Sequence, residues 1–368
     1  MINQRIVVKL GTSTLTAGTT QISPPRLVDL VRQMASLYSA GSEVVLVSSG
    51  AIAAGHERLN HPQLPKDIPA KQMLAAIGQP RLMALYEQLF GFYGIIVAQV
   101  LLTRSDLTDR RRYLNSRNTL AALLSQRVIP VVNENDTVAT EEIRLGDNDN
   151  LSALVANLIE ANLLVLLTDQ PGLFTADPRR VPDAQLVHEV KEAEIPEALW
   201  QAAGGTASGL GTGGMFTKLQ AADLARRSGA TVVIAQGADP DILLKLTAGE
   251  MVGTRFHPIN SALESRKRYI LSGGRLPGVI RVDEGAKQAL RQGGSLLPVG
   301  VRAVEGLFER GDSVRIIGPD GHEIARGLVN YAATDLESIR GLQSDEIEKV
   351  LGFAYGDEVI HRNDMVLL

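Results

Sequence analysis

Cysteine is absent from the 368-residue chain, so neither a disulfide framework nor a thiolate metal site can exist. The six histidines show no zinc-ligand spacing, and there is no Gly-x-Ser-x-Gly nucleophile elbow. No apolar run approaches the roughly 18 residues of a membrane helix. Met-Ile-Asn-Gln-Arg leads straight into the strand-like Arg5 to Leu10, without the apolar segment of an export signal. A cytoplasmic protein without membrane contact is therefore expected. Neither sign of charge dominates: the net charge is −4, but it is unevenly placed. Residues 1–275 hold 27 Lys+Arg and 26 Asp+Glu, whereas 276–368 hold 10 and 15, so the C-terminal part carries −5.

What is present is enough apolar material, 45% of residues, for one domain of about 250 residues and a smaller one. Up to residue 255 short β-branched runs alternate with helical patterns, as in a parallel sheet covered on both faces. Strands are predicted at Arg5–Leu10, Glu43–Ser48, Ile95–Leu102, Val128–Asn133, Leu163–Thr168 and Thr231–Ala235. The clearest helix starts at Ser23, with Pro24 and Pro25 in its first turn. It buries Leu27, Leu30, Val31, Met34 and Leu37 and stops at Gly41. A polar connector, 256–275, contains Arg266-Lys267-Arg268 and Ser272-Gly273-Gly274. From 276 to 368, strand-like runs at Gly278–Val282, Ser295–Val301, Ser313–Ile317 and Ile324–Leu328 predict a small β-barrel-like domain. The expected fold is thus a three-layer α/β/α sandwich (1–255) with a β-rich C-terminal domain.

Ligands of open α/β sheets bind beyond the carboxyl ends of the strands. The residues leaving those ends are Lys9 to Ser13, Ser48-Ser49-Gly50, Asn133 to Asp136 and Thr168-Asp169; Gly146 to Ser152 opens a helix nearby. Thr206 to Lys218 is a glycine-dense loop ending in a cation at the start of a helix, suited to holding phosphate. Each feature alone has a plainer explanation: Lys9 a solvated strand end, Asp147 or Asp149 a helix cap, Ser49-Gly50 a turn, the glycine loop a surface connection. Their common position at one sheet edge favours phosphoryl transfer, which rests on positioning and charge neutralisation. Gly209 to Gly214 formally fits G-x-G-x-x-G, but it follows a loop rather than a strand, and no ribose-binding acid ends the next strand. Lys218 follows Thr217 instead of preceding a Ser or Thr, which excludes a P-loop.

Val8 to Ser13, Val47 to Ile52, Asn133 to Asp136, Gly146 to Leu151, Leu167 to Leu173 and Gly211 to Lys218, taken in order, resemble the amino-acid kinase superfamily. Within it they resemble the glutamate 5-kinase family, and the segment from Pro277 resembles the PUA domain attached to its bacterial members. The resemblance implies phosphorylation of the L-glutamate γ-carboxylate by ATP with Mg2+, the first step of proline biosynthesis, inhibited by proline. It also implies a homo-oligomer, dimer or tetramer. Carried over residue by residue, Lys9 and Lys218 would neutralise the migrating phosphoryl group and Asp149 would organise them. Lys9, Gly11, Thr168, Asp169, Thr212, Gly213, Gly214, Met215, Phe216, Thr217 and Lys218 would line the ATP site. Ser49, Asp136 and Asn148 would hold glutamate; no residue is indicated as a metal ligand. RNA binding by the PUA-like part is opposed by its negative charge. Arg110-Arg111-Arg112 reads as a solvated or subunit-facing helix, since Asp106 and Asp109 interleave with it. Two competing readings remain: an RNA-binding or regulatory protein with a vestigial kinase domain, and a kinase acting on another small acid.

Overall fold

The computed structural model describes residues 4–139, 148–204, 214–259 and 276–368. The chain divides into two compact units, Met1–Thr108 with Asn115–Ala262 and Asp109–Leu114 with Leu263–Leu368.

The first unit is built on an eight-stranded sheet comprising β1 (Arg5–Leu10), β2 (Glu43–Val47), β3 (Val97–Leu102), β4 (Ile129–Glu134), β5 (Leu163–Thr168), β6 (Glu189–Val190), β7 (Thr231–Gln236) and β8 (Thr254–Phe256). Its order is β3-β4-β2-β1-β5-β7-β8-β6, and every pairing is parallel except β7 with β8. The central strands are apolar almost throughout, as burial on both faces requires; β5 reads Leu-Leu-Val-Leu-Leu-Thr and is buried along its length. The six predicted strands are all present, with ends displaced by at most two residues. β6 and β8 were not predicted: two and three residues are too short to show a period.

The helix Pro24–Ser39 follows its sequence signals. Its prolines occupy the first turn, where no intrahelical N–H is required, and Leu27, Leu30, Val31, Met34 and Leu37 are buried. Ser23 stands at the N-cap but makes no side-chain cap hydrogen bond. Two other helices meet almost backbone to backbone. A Cβ on Gly78, in Ile68–Gly91, would lie 1.8 Å from the Ala51 carbonyl oxygen. One on Gly55, in Ala51–Arg58, would lie 2.0 Å from the Leu74 carbonyl oxygen. Glycine is what permits this crossing, and the crossing anchors the chain immediately after Ser49-Gly50.

The second unit contains a mixed sheet, β10-β9-β11-β12-β13, from β9 (Gly278–Val282), β10 (Val301–Gly306), β11 (Ser313–Ile317), β12 (Glu323–Leu328) and β13 (Met365–Leu367). It has its own core, including Ile280, Leu290, Val314, Ile316, Tyr331 and Leu336. The predicted strand at Ser295–Val301 is not formed. Leu296 makes one isolated bridge to Ile360, Pro298–Gly300 is a single 3-10 turn, and the strand begins at Val301. Pro298 supplies no N–H and a fixed φ, which bars it from a strand interior.

Candidate active site

The four strands whose carboxyl ends carry the candidate residues are adjacent in the sheet: β4, β2, β1 and β5. Asn133 and Asp136 come from β4 and the turn after it, and Ser49 follows β2. Thr168 and Asp169 end β5. Lys9 lies on β1 between them, level with Val47 of β2 and Leu166 of β5. The site therefore has two sides with a lysine at their junction.

At that junction Asp149 is fully buried in the first turn of the helix Asp149–Leu158. It does not act as a cap; the N-cap position belongs to Asn148. One carboxylate oxygen is ion-paired with Lys9. The other accepts from Lys218 Nζ at 3.0 Å and Thr217 Oγ1 at 2.9 Å. Thr217 and Lys218 belong to the first turn of Met215–Arg227, so two helix N-termini open toward one cluster of two cations and one anion. Its formal charge is +1, supplemented by the positive ends of both helices. Desolvating three charges costs several kcal/mol per ion before their attraction offsets it. Such a cluster is poor value as a mere stabiliser and well suited to receiving a polyanion.

On the β5 side, Thr168 Oγ1 lies 3.0 Å from Asp169 Oδ1, and Asp169 is exposed. The Lys9 ammonium lies 3.6 Å from where a Cβ on Gly11 would stand, so an approaching group meets no side chain at Gly11. Gly214 has φ +64° at the start of the Met215 helix. Phe216 is turned inward, edge-on to Trp200 with centroids 5.6 Å apart, so only its backbone is available to a ligand. Met215 is half-buried. Thr212 and Gly213 lie outside the described residues, as does the glycine-dense stretch before them.

On the β2–β4 side there is a cavity of about 860 Å³ whose lining includes Ser49, Asp136, Asn148, Asn133, Thr12 and Lys71. All three residues assigned to glutamate by resemblance are thus brought together. Asn148 and Asp149 are consecutive, which couples this cavity to the lysine pair.

An amide network, buried at Asn148, Asn133 and Gln79 and ending at the exposed Gln99, was not legible in the sequence. Asn148 Nδ2 donates to the Ser48 carbonyl at 2.6 Å and to Asn133 Oδ1 at 2.7 Å. Asn133 Nδ2 donates to Gln79 Oε1 at 2.8 Å, and Gln79 Nε2 donates to Gln99 Oε1 at 3.1 Å. The Ser48 carbonyl can only accept and the Glu134 N–H, 3.0 Å from Asn133 Oδ1, can only donate, so both asparagine orientations are determined. With its NH2 group spent on the protein, Asn148 offers a ligand its carbonyl oxygen, an acceptor. It therefore suits an ammonium better than a carboxylate.

Among the described residues no group of three or more His, Cys, Asp or Glu side chains could hold a metal ion. Both Asp149 oxygens are engaged by protein donors. Asp149 therefore has no oxygen left over for direct coordination of a metal ion.

The amino acid kinase family model matches residues 4–236 and the PUA domain model residues 278–351. The chain belongs to the amino acid kinase family. It is 56% identical to glutamate 5-kinase of Herpetosiphon aurantiacus over 366 residues, 99% of this chain and 98% of that one. It is 57% identical to glutamate 5-kinase of Photobacterium profundum, covering 99% and 96%. Similarity at this level over the whole length places it among the glutamate 5-kinases. Carbamate kinase from Giardia lamblia bound to AMP-PNP shares the fold of the first unit: TM-score 0.51 and 17% identity, covering 70% of this chain and 99% of that one. No helix among the described residues is long and apolar enough to cross a membrane.

Proposed function

We propose that this enzyme transfers the γ-phosphoryl group of ATP to the γ-carboxylate of L-glutamate, giving L-glutamyl 5-phosphate and ADP, the first step of proline biosynthesis. The observation that carries the reading is Asp149 clasped between Lys9 and Lys218, one residue from the cavity of Ser49, Asp136 and Asn148. The acceptor lies on the β2–β4 side and the nucleotide on the β5 side. Gly11, Thr168, Asp169 and the backbone from Gly214 to Lys218 line the nucleotide side. Magnesium, held on the phosphates, would neutralise part of their charge.

A carboxylate acceptor arrives already ionised, so the reaction needs no general base. A γ-carboxylate oxygen forms the new bond to phosphorus while the bond from the γ-phosphorus to the bridging oxygen of ADP breaks. The two ammonium groups meet the charge spread over the transferring oxygens. Asp149 keeps those cations convergent and takes no proton. In the acceptor cavity, Asp136 and the Asn148 carbonyl oxygen receive the α-ammonium, and the Ser49 hydroxyl donates to a carboxylate. Comparing ADP release with glutamate, aspartate and N-acetylglutamate tests the assignment: glutamate should dominate kcat/KM, and a preference for either alternative would replace it.

The same pocket supports inhibition by proline, which shares glutamate's α-ammonium and α-carboxylate but has no acceptor oxygen. Proline should raise the apparent KM for glutamate and leave the limiting rate unchanged. In a grid of initial rates, inhibition independent of glutamate concentration would put proline elsewhere. Assembly as a homo-oligomer and a cytoplasmic location complete the proposal. A net charge of −5 over 276–368 favours a structural or regulatory role for the PUA unit over RNA binding.

A further inference from the structure

Ser49 forms part of the cavity wall, and the two peptide carbonyls at this point are held from behind. Ser48 Oγ is 3.0 Å from the Ser49 carbonyl and 2.8 Å from the Tyr86 hydroxyl. A carbonyl can only accept, so Ser48 donates its proton to Ser49 and the Tyr86 hydroxyl donates to Ser48. The Ser48 carbonyl is fixed by Asn148 Nδ2 at 2.6 Å. The next residue, Gly50, sits at φ +92° and begins the helix Ala51–Arg58. Tyr86 is completely buried in Ile68–Gly91, tilted against Phe90 with ring centroids 6.5 Å apart. A phenylalanine would fill almost the same volume. The phenol thus places a polar group in the core at a cost that only its hydrogen bond offsets. Burial raises its pKa above the ordinary tyrosine value, which keeps the hydroxyl protonated, and so a donor, near neutral pH.

We infer that Tyr86 is a positioning residue of the acceptor site: its hydroxyl, acting through Ser48, sets the Ser49 peptide and so the fit of the amino-acid substrate. The inference rests on the glutamate reading above for its kinetic consequence, while the brace itself is a property of the free protein. Tyr86→Phe and Ser48→Ala in the full-length chain test both. Each should raise the KM for glutamate roughly five- to tenfold, the loss expected for one hydrogen bond. The KM for ATP and kcat should stay within about twofold, because the two hydroxyls bond to each other and to the Ser49 carbonyl rather than to Lys9, Asp149 or Lys218. The double variant should be little worse than Tyr86→Phe, since both break one chain of bonds. In hydrogen–deuterium exchange of the ligand-free protein, amides in 48–53 should exchange faster in Tyr86→Phe while those of β5 do not change. Unaltered exchange in 48–53 overturns the brace. An unaltered KM for glutamate, or parallel rises for glutamate and ATP, overturns the positioning role. Should Tyr86→Phe fail to fold, Ser48→Ala decides the matter by the same readings. If the wild type phosphorylates no glutamate, the functional reading falls and the exchange result still judges the brace.

Discussion

Asp149→Asn separates two roles for one residue by magnitude. An acidic side chain that merely favours a helix start contributes about 0.5–2 kcal/mol, and its loss leaves the chemistry alone. Here, however, the carboxylate is fully buried and its partners are Lys9, Lys218 and Thr217. Asparagine preserves the shape and removes the only counter-charge those two ammonium groups share in the described cluster. Breaking a buried ion pair from one side costs about 3–5 kcal/mol. For a unit of this size each kcal/mol moves the unfolding midpoint by about 2–4 °C, so thermal unfolding should shift down by roughly 6–20 °C. Turnover should fall about 100- to 1000-fold, because the cations would no longer converge on the transferring group. Adding Lys218→Met to Asp149→Asn removes one of the opposed charges. Part of the lost stability should return and none of the activity. The assays are a melting curve and steady-state kinetics on the same preparations. A midpoint within about 2 °C of the wild type, with kcat within about threefold, would refute the organising role and leave Asp149 a first-turn acid.

Lys218→Ala should lower kcat about 100- to 1000-fold with little change in the KM for glutamate, since its ammonium acts chiefly in the transition state; near-normal turnover with only a raised KM would remove it from that role. Gly78→Ala puts a Cβ 1.8 Å from the Ala51 carbonyl oxygen, so overpacking should cost about 1–3 kcal/mol in unfolding experiments. It should also raise the KM for glutamate by displacing the chain after Ser49-Gly50, and an unmoved melting midpoint would contradict the close helix crossing. Truncation after residue 275 should leave a folded, active kinase, because every proposed site residue lies at or before Lys218. A soluble, folded but inactive fragment would show that the PUA unit completes the site.

The frame of the site was readable because buried parallel strands announce themselves as apolar runs, and what leaves their carboxyl ends is where chemistry can lie. Lys9, Ser49 and Asp136 stood out that way, and Asn148, Asp149 and Lys218 in the polar and glycine-dense segments that open helices, scattered over more than two hundred residues, and resemblance assigned the roles. What could not be read was orientation. Phe216 belongs to the loop-and-helix segment that reads as phosphate-binding, yet its ring packs on Trp200, which takes its apolar surface out of water. Nor does a pattern show that the Asn148 amide group is consumed by Ser48 and Asn133. Tyr86 and Gln79 were invisible for a related reason: on a helix whose other buried residues include Leu74, Leu82 and Phe90, a buried tyrosine looks like core. Only the position of its hydroxyl distinguishes it. The misplaced strand at Ser295–Val301 shows the converse: apolar composition suggests a strand there, and the backbone of Pro298 forbids it.

The central claim is that the product is an acyl phosphate formed on the side chain of free glutamate. Its most direct measurement is to incubate the purified full-length enzyme with Mg-ATP, glutamate and hydroxylamine and identify the trapped product by mass and position. γ-Glutamyl hydroxamate should accumulate in step with ADP, depend on glutamate, and be reduced to trace amounts in Lys218→Ala. ADP release stimulated by glutamate without any hydroxamate, or trapping at the α-carboxylate, would contradict the account.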